Sequence, residues 1–292
     1  MAAIGGAASA GAKGLSLHVG LNYIDPAHYG GSNGELKACI NDAEAMQQLA
    51  LAQGFEVMGV LRDAQGTRGA VKAAFAKAAA QLKSGDMFFF TYSGHGSYVP
   101  DLNLDEAEND ALDKFDETWC LYDGMLIDDE VYQMWQAFAP GVRVSVLLDC
   151  CHSGSAIKAF LPGPGGIPAL RKGKPRALPT SVTKKTFMSN LQMYKDIEAA
   201  TAGAKAGVLA GDLVCSVKLI SGCQDKEVSI DGWPNGVFTE QLLAAWNGGA
   251  FAGSHKDFHD LILTGMPWDQ QPNLYTIGAP NPGFDGQKPF TL

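Results

Sequence analysis

Strand-sized apolar runs alternate with longer segments of helical periodicity along this chain. Leu15–Leu21, Phe55–Leu61 and Met87–Tyr92 are such runs, and the third is apolar on both faces. Between them, Glu35–Gln53 and Thr67–Leu82 carry apolar residues at helical spacing. Strands that alternate with helices in this way predict βαβ units and a doubly wound, parallel α/β sheet.

The same pattern continues to the C-terminus. Val142–Leu148 is a β-branched, apolar run of the kind that is buried on both faces of a parallel sheet. Periodicity also predicts helices at Asp129–Phe138, Lys185–Ala200, Val237–Trp246 and Asp257–Leu263, and strands at Cys215–Ile220 and Leu274–Ile277. We therefore expect about six mostly parallel strands flanked by helices.

Two stretches lack this pattern. Asp101–Asp129 has little periodicity, and we expect a long functional loop there. Leu161–Pro179 is rich in proline, glycine and basic residues, which predicts an exposed linker, extended or disordered. We expect a flexible N-terminus at residues 1–14 and a single domain at residues 15–292. Within that domain, we expect a larger portion at 15–157, a linker at 158–185 and a smaller portion at 186–292.

Two predicted strands end in residues capable of covalent chemistry. Thr91–Gly96 reads TYSGHG, and Asp149–Gly154 reads DCCHSG. The carboxyl edge of an open α/β sheet is where ligands bind, so we expect His95 and Cys151 to lie close together there. A cysteine is a good nucleophile when a nearby base favours its thiolate. Two alternatives remain: Cys150 and Cys151 are buried core thiols, which is the commonest state of a free cysteine, and His152 is a competing base.

These two motifs resemble those of a known family. DCCHSG is similar to the nucleophile motif of metacaspases and bacterial orthocaspases, which are caspase-like cysteine peptidases, and TYSGHG resembles their histidine motif. The resemblance extends from about Leu15 to the C-terminus, because Ser221–Asp225 and Asn235–Thr239 also resemble the family's smaller portion. It implies a caspase-like fold with Cys151 as nucleophile, His95 as base, and the amides of Gly96 and Cys151 as the oxyanion hole.

The resemblance also implies the substrate. Metacaspases cleave after Arg or Lys, and a cationic side chain needs carboxylates that face it. The matching pocket residues are Asp149, Asp42, Ser93 and Cys39, with Asp225 a further candidate at the rim. The alternatives are that Asp42 is a helix-surface acid and that Asp149 caps the end of a strand.

Charge is distributed unevenly. The net charge of −9 and the pI of about 5.1 argue against a nucleic-acid or anionic-membrane partner. Acidic residues are concentrated between Asp101 and Glu130, and Ca²⁺ favours such oxygen ligands. The resemblance implies that Asp116, Asp128 and Asp129 are ligands, but it places Lys158 where the family has a further aspartate. Calcium therefore stays open against a solvated acidic loop, and the chemistry itself requires no cofactor.

Lys158–Lys185, by contrast, contains basic residues and no acid. Exposed segments are where proteolysis concentrates, so we expect self-cleavage within this range into two fragments that stay associated. Flexibility alone does not select the bond: proline follows Lys174, and Arg176 is not favoured individually. The alternative is a solubilising basic loop.

Composition sets the remaining expectations. The six cysteines have neither disulfide-scaffold nor zinc-site spacing, which favours a reducing, cytoplasmic setting. No apolar run reaches membrane-helix length, and the N-terminus has no signal-peptide pattern. We expect a monomer that acts on protein or peptide substrates. A catalytically silent interaction module would require the loss of Cys151 or His95, and a redox switch at Cys150–Cys151 would require a strained disulfide.

Overall fold

The computed structural model of the chain describes residues 11–100, 115–151, 173–201, 213–224 and 227–292, and all structural statements below concern these residues. The strands are β1 (Gly14–Gly20), β2 (Glu56–Arg62), β3 (Met87–Ser93), β4 (Gly96–Pro100), β5 (Phe115–Leu121), β6 (Gly124–Ile127), β7 (Arg143–Asp149), β8 (Lys174–Pro175), β9 (Ser216–Ser221), β10 (Ile230–Asp231) and β11 (Asn273–Gly278). The helices are α1 (Cys39–Ala52), α2 (Arg68–Gln81), α3 (Asp128–Gln136), α4 (Thr180–Ser189), α5 (Leu191–Thr201), α6 (Val237–Trp246), α7 (His255–Gly265) and α8 (Pro282–Gly286).

Six of the strands form the central sheet in the order β11-β9-β7-β3-β1-β2. All neighbours are parallel except β11, which runs antiparallel to β9. This is the predicted mixed, mostly parallel sheet. The central position of β3 explains why all seven of its residues, Met87–Ser93, are buried.

Helices cover both faces of this sheet. On one face, α2 and α3 contribute Phe75 and Trp135 to a core with Phe88, Phe90 and Val146 of the strands. On the other face, α1, α6 and α7 pack against the alternate strand residues, namely Phe89, Leu147 and Ile220. Successive side chains of a strand point to opposite faces, so one apolar run supplies both cores. No helix within the described ranges has the length and apolar character that a membrane span requires.

Several predicted elements differ from the structure, among them the helix predicted at Lys185–Ala200, which is divided into α4 and α5 at Asn190. Residues 115–127 are not loop but the antiparallel hairpin β5–β6, and its acidic residues obscured the strand pattern. Helix α1 begins at Cys39 rather than Glu35, because the side-chain oxygen of Asn22 accepts the Cys39 amide and fixes the start there. Residues 176–178 of the predicted exposed linker are buried. Residues 161–172 of that linker lie outside the described ranges.

Candidate active site

The two chemical motifs meet at the carboxyl edge of the sheet. Strands β3 and β7 are parallel neighbours, and Ser93 of β3 is paired in register with Asp149 of β7. His95 follows β3 by two residues and Cys151 follows β7 by two residues, so the chain leaves the sheet at the same level in both places. Helix α1 brings Cys39 and Asp42 to this edge, and both are buried.

The backbone of Gly96 lies against that of Cys151. A Cβ atom at position 96 would come within 1.8 Å of the Cys151 carbonyl oxygen, so only glycine fits there. The Cys151 sulfur is buried and accepts a hydrogen bond from the Ser229 amide at 2.6 Å. Its neighbour Cys150 belongs to the large core, where burial raises the pKa of its thiol far above the ordinary value. The two adjacent thiols therefore lie in different environments.

His95 is buried with its Nε2 atom 2.9 Å from the carbonyl oxygen of Gly34. A carbonyl can only accept, so Nε2 carries the proton and Nδ1 carries the lone pair. Nδ1 has no hydrogen-bond partner among the described residues. Burial lowers the pKa of His95 to about 4, which keeps the ring neutral at pH 7. A neutral imidazole with an available lone pair can accept a proton.

A single guanidinium occupies the pocket beside these groups. Arg176 is 0% exposed, although it lies in the basic segment that was predicted to be an exposed linker. Its Nη2 atom lies 2.7 Å from Asp42 and 3.0 Å from Asp231, and its Nη1 atom lies 2.8 Å from Asp149 and donates to the Ser93 hydroxyl at 2.8 Å. We call Asp42, Asp149, Asp231 and Ser93 the carboxylate pocket.

The three carboxylates are held by neighbouring donors. Asn235 and the Gly236 amide donate to Asp42, Ser229 and Thr239 donate to Asp149, and the amides of Lys37 and Ala38 donate to Asp231. Each carboxylate is therefore oriented independently of Arg176. The pocket presents three preorganised acids to one cationic side chain.

Charge within the pocket is balanced only in part. Burial raises the pKa of Asp42, and Arg176 counteracts that shift. Burial alone would lower the pKa of Arg176, but Asp149, Cys39, Asp42 and Asp231 outweigh it and raise that pKa well above the ordinary value. The side chain of Cys39 lies in this environment, and burial raises the pKa of its thiol. Without a cation, three buried acids would face one another.

The main chain of Arg176 is held as firmly as its side chain. Its carbonyl oxygen accepts hydrogen bonds from the amides of Gly96 at 3.0 Å and Cys151 at 3.2 Å. These are the two amides that were predicted to form the oxyanion hole. Its amide donates to the Ser229 carbonyl at 2.9 Å. Strand β8, which directly precedes Arg176, pairs antiparallel with β10. The segment thus lies in the cleft as an added strand, with the Arg176 carbonyl next to Cys151.

A second cluster consists of the predicted calcium ligands. One carboxylate oxygen from each of Asp116, Asp128 and Asp129 lies within 4.8 Å of the others. The β5–β6 hairpin brings these acids together, since it pairs Thr118 with Ile127 just before α3 begins. The Thr201 hydroxyl at the end of α5 donates to Asp129 at 3.2 Å. Three converging carboxylates fit a hard divalent cation, and Lys158 lies outside the described residues.

Comparison with known proteins identifies the family. The family model described as "Metacaspase, peptidase C14 domain" matches residues 15–160. The chain belongs to the metacaspases. It is 36% identical over 160 residues to Metacaspase-1A of Aspergillus clavatus, a match that covers 50% of this chain and 34% of the relative. It is 29% identical over 267 residues to Metacaspase-1 of Schizosaccharomyces pombe, covering 80% of this chain and 59% of the relative. This metacaspase thus spans only part of the length of those relatives.

Solved structures agree with the fold. Protein GSU0716 from Geobacter sulfurreducens superposes with a TM-score of 0.84 at 44% identity, covering 96% of this metacaspase and 98% of that chain. Caspase-1 from Spodoptera frugiperda superposes with a TM-score of 0.53 at 11% identity, covering 91% of this chain and 87% of its own. At that identity the second similarity concerns the fold alone. The predicted caspase-like sheet is therefore confirmed.

One residue of the carboxylate pocket, and the residue that occupies it, were not predicted from the sequence. Asp231 lies on the two-residue strand β10, which is too short to produce an alternation signal, whereas the candidate considered in that region, Asp225, lies outside the described residues. Arg176 has no local signal that selects it, because it is one of several basic residues in a segment whose composition predicts an exposed linker. The apolar residues Ala177 and Leu178 follow Arg176, and they are the local feature from which burial of this segment could have been predicted.

Proposed function

We propose that this metacaspase is a cysteine endopeptidase that cleaves after Arg or Lys and processes its own chain between Arg176 and Ala177. The observation that supports it most directly is the position of Arg176. Its side chain fills a pocket of three carboxylates while its carbonyl oxygen accepts from two amides beside Cys151. This is the arrangement that a peptidase requires of the residue before the scissile bond.

In the proposed mechanism, neutral His95 accepts the proton of the Cys151 thiol, and the thiolate attacks the carbonyl carbon of Arg176. The amides of Gly96 and Cys151 hold the negative charge that develops on the carbonyl oxygen, and each such donor typically contributes about 10²–10³ in rate. His95 then passes its proton to the leaving nitrogen. Water finally hydrolyses the thioester and releases the carboxylate.

The proposed specificity follows from the charge of the carboxylate pocket. A cationic side chain neutralises part of it, whereas an acidic side chain would add a fourth negative charge without water to screen it. Arginine can contact Asp42, Asp149 and Asp231 at once through its planar fork, and lysine provides a single ammonium. We expect Arg to be preferred over Lys and both to be strongly preferred over Asp.

The remaining elements of the proposal concern context. None of the six cysteines, all of which lie in described residues, forms a disulfide, which fits a reducing cytoplasm. The substrates would be proteins or peptides with Arg or Lys at the cleavage position, and the net charge of −9 disfavours nucleic acid. We propose that the enzyme acts as a monomer.

The test is to compare wild-type protein with Arg176→Ala. Intact mass after incubation should show the wild type converted to two chains that end at Arg176 and begin at Ala177, and Arg176→Ala should remain one chain. On peptides that differ only in the residue before the cut, Arg176→Ala should cleave after Arg and Lys at least about 10²-fold faster than after Leu or Asp, since a charge pair lost from a buried site costs 2–5 kcal/mol.

The matched variant is Arg176→Lys, which keeps the charge and should still be processed, more slowly. If Arg176→Ala is still split at position 176, or if it cleaves after Asp as readily as after Arg, the proposal is wrong. Circular dichroism of each variant separates loss of activity from loss of fold.

We also propose that Asp116, Asp128 and Asp129 hold a calcium ion that stabilises the fold around α3 and α5 without joining the chemistry. Saturating Ca²⁺ at about 100 times its Kd should raise the free energy of unfolding by about 2.7 kcal/mol, and thus raise the Tm by several degrees. Differential scanning fluorimetry with Ca²⁺ and with chelator measures this shift.

Glu240→Gln, on the distant helix α6, serves as control and should keep the calcium-dependent shift, whereas Asp129→Asn should lose it. An unchanged Tm and an unchanged peptidase rate on addition of Ca²⁺ would remove the metal from the proposal.

A further inference from the structure

Both sides of the Arg176–Ala177 bond are anchored, and the anchor on the leaving side is a buried side chain. Leu178 is 1% exposed and belongs to a core cluster that includes Tyr29, Val99 and Phe187. Its amide donates to the Gly96 carbonyl at 3.0 Å, while the Gly96 amide donates to the Arg176 carbonyl. Gly96 therefore forms backbone hydrogen bonds with the chain on either side of the proposed scissile bond.

The chain beyond Leu178 is fixed as well. Helix α4 begins at Thr180, and its Thr183 hydroxyl lies 2.6 Å from the Ser97 hydroxyl of β4. The Lys185 ammonium donates to the Gly30 carbonyl at 2.7 Å, and Tyr194 of α5 lies 2.9 Å from the ring nitrogen of His28. A break in the chain at position 176 would remove none of these contacts. The new N-terminus would stay where the bond had been.

This geometry affects the acyl-enzyme. When the sulfur–carbon bond to Arg176 forms and the carbon–nitrogen bond to Ala177 breaks, the nitrogen takes one proton from His95 and becomes an amine. In the reverse step that amine attacks the thioester carbon, the sulfur leaves as thiolate, and the proton returns to His95. An amine held against a reactive carbon has an effective concentration of about 10⁵–10⁸ M, far above that of water. The held amine also occupies the approach that hydrolytic water needs.

We propose, on the basis of the proposed function above, that residues 174–178 act as a substrate-like inhibitor whose Arg176–Ala177 bond is broken and re-formed many times before it is lost. Release of Leu178 from its core cluster, rather than attack by Cys151, limits conversion to two chains. The Leu178 anchor is thus the element that keeps the enzyme in its single-chain form.

Hydroxylamine tests this directly, because it attacks thioesters and is small enough to compete with the held amine. Ca²⁺ is present in all samples, and intact mass is followed over time. Wild type should be converted to two chains at least about tenfold faster with hydroxylamine than without it, and the first chain should end in the Arg176 hydroxamate. Leu178→Ala removes most of a buried apolar side chain and so weakens the anchor. Without hydroxylamine, this variant should be converted to two chains at least about tenfold faster than wild type. It should gain less than about twofold from the reagent.

Two variants serve as controls. Met188→Ala on the exposed side of α4 should behave as wild type, since Met188 is 59% exposed. Leu178→Met conserves volume and should stay close to wild type, which distinguishes the loss of the anchor from a general loss of fold.

The inference is overturned if hydroxylamine leaves the wild-type rate unchanged, if Leu178→Ala converts no faster than wild type, or if wild type is already fully split at isolation. It is also overturned if no chain splits under any condition while arginine peptides are cleaved, an outcome that leaves the peptidase activity standing. The proposed function is tested separately: it fails on the outcomes given above for Arg176→Ala, or if that variant cleaves no arginine peptide.

Discussion

Replacing Cys151 by alanine is expected to lower kcat/KM for an arginine peptide by at least about 10⁴-fold, because removal of a catalytic nucleophile leaves only binding and the oxyanion hole. The alanine amide can still donate to a carbonyl oxygen, so the loss reports the sulfur alone. The same change should leave the chain intact at Arg176–Ala177. The rate is measured with a peptide substrate in the Arg176→Ala background, where the guanidinium no longer fills the carboxylate pocket. Cleavage of the chain itself is measured by intact mass in protein that retains Arg176.

Cys150→Ala is the matched control, since Cys150 lies next in the chain but belongs to a different buried cluster from that of Cys151. It should lose some stability to the cavity and keep kcat/KM within about threefold of its parent. In the Arg176→Ala background, an arginyl chloromethylketone peptide should add once to the Cys150→Ala protein and not to the Cys151→Ala protein. If instead Cys150 carries the adduct, the assignment of the nucleophile is wrong.

Replacing Asp149 by asparagine should lower kcat/KM for an arginine peptide by about 10²- to 10³-fold, because a buried cation loses a charged partner that lies at 2.8 Å in this structure. The amide keeps the shape of the carboxylate and can still hydrogen-bond with the hydroxyl groups of Ser229 and Thr239. The fold should therefore persist. Peptide kinetics in the Arg176→Ala background, with circular dichroism of the same samples, measure both effects.

Asp86→Asn provides the comparison. Asp86 is also a buried carboxylate, but it lies before β3 at the opposite edge of the sheet and accepts the amides of Lys13 and Lys83. The Asp86→Asn protein should be less stable than its parent and keep the same kcat/KM for the arginine peptide. Retained cleavage after Arg in Asp149→Asn would contradict the role of the carboxylate pocket in specificity.

Much of the candidate site follows from two strand ends. The apolar runs of β3 and β7 predict adjacent parallel strands, and the residues after them, His95 and Cys151, then reach one sheet edge. The family motifs named Asp42, Asp149 and Ser93, and the structure brings all three around one guanidinium. Their catalytic and binding roles stay predictions.

Other features could not be read from local pattern. The local pattern predicts a loop where the β5–β6 hairpin lies, because the acidic residues of the hairpin hide its apolar alternation. Asp231 belongs to a strand of two residues, and that strand exists only because β8 pairs with it. Arg176 was expected in an exposed linker, and it is fully buried because three acids distant from it in sequence surround it.

By itself, the sequence determined the mostly parallel sheet, the edge at which the candidate site lies and the pair of side chains at that edge, since apolar periodicity and strand-end residues are local properties of the chain. Only the tertiary structure decided which basic residue lies in the pocket. The electrostatic field that selects Arg176 is the sum of Asp42, Asp149 and Asp231, three charges brought together by α1, β7 and β10, and no local pattern contains that sum.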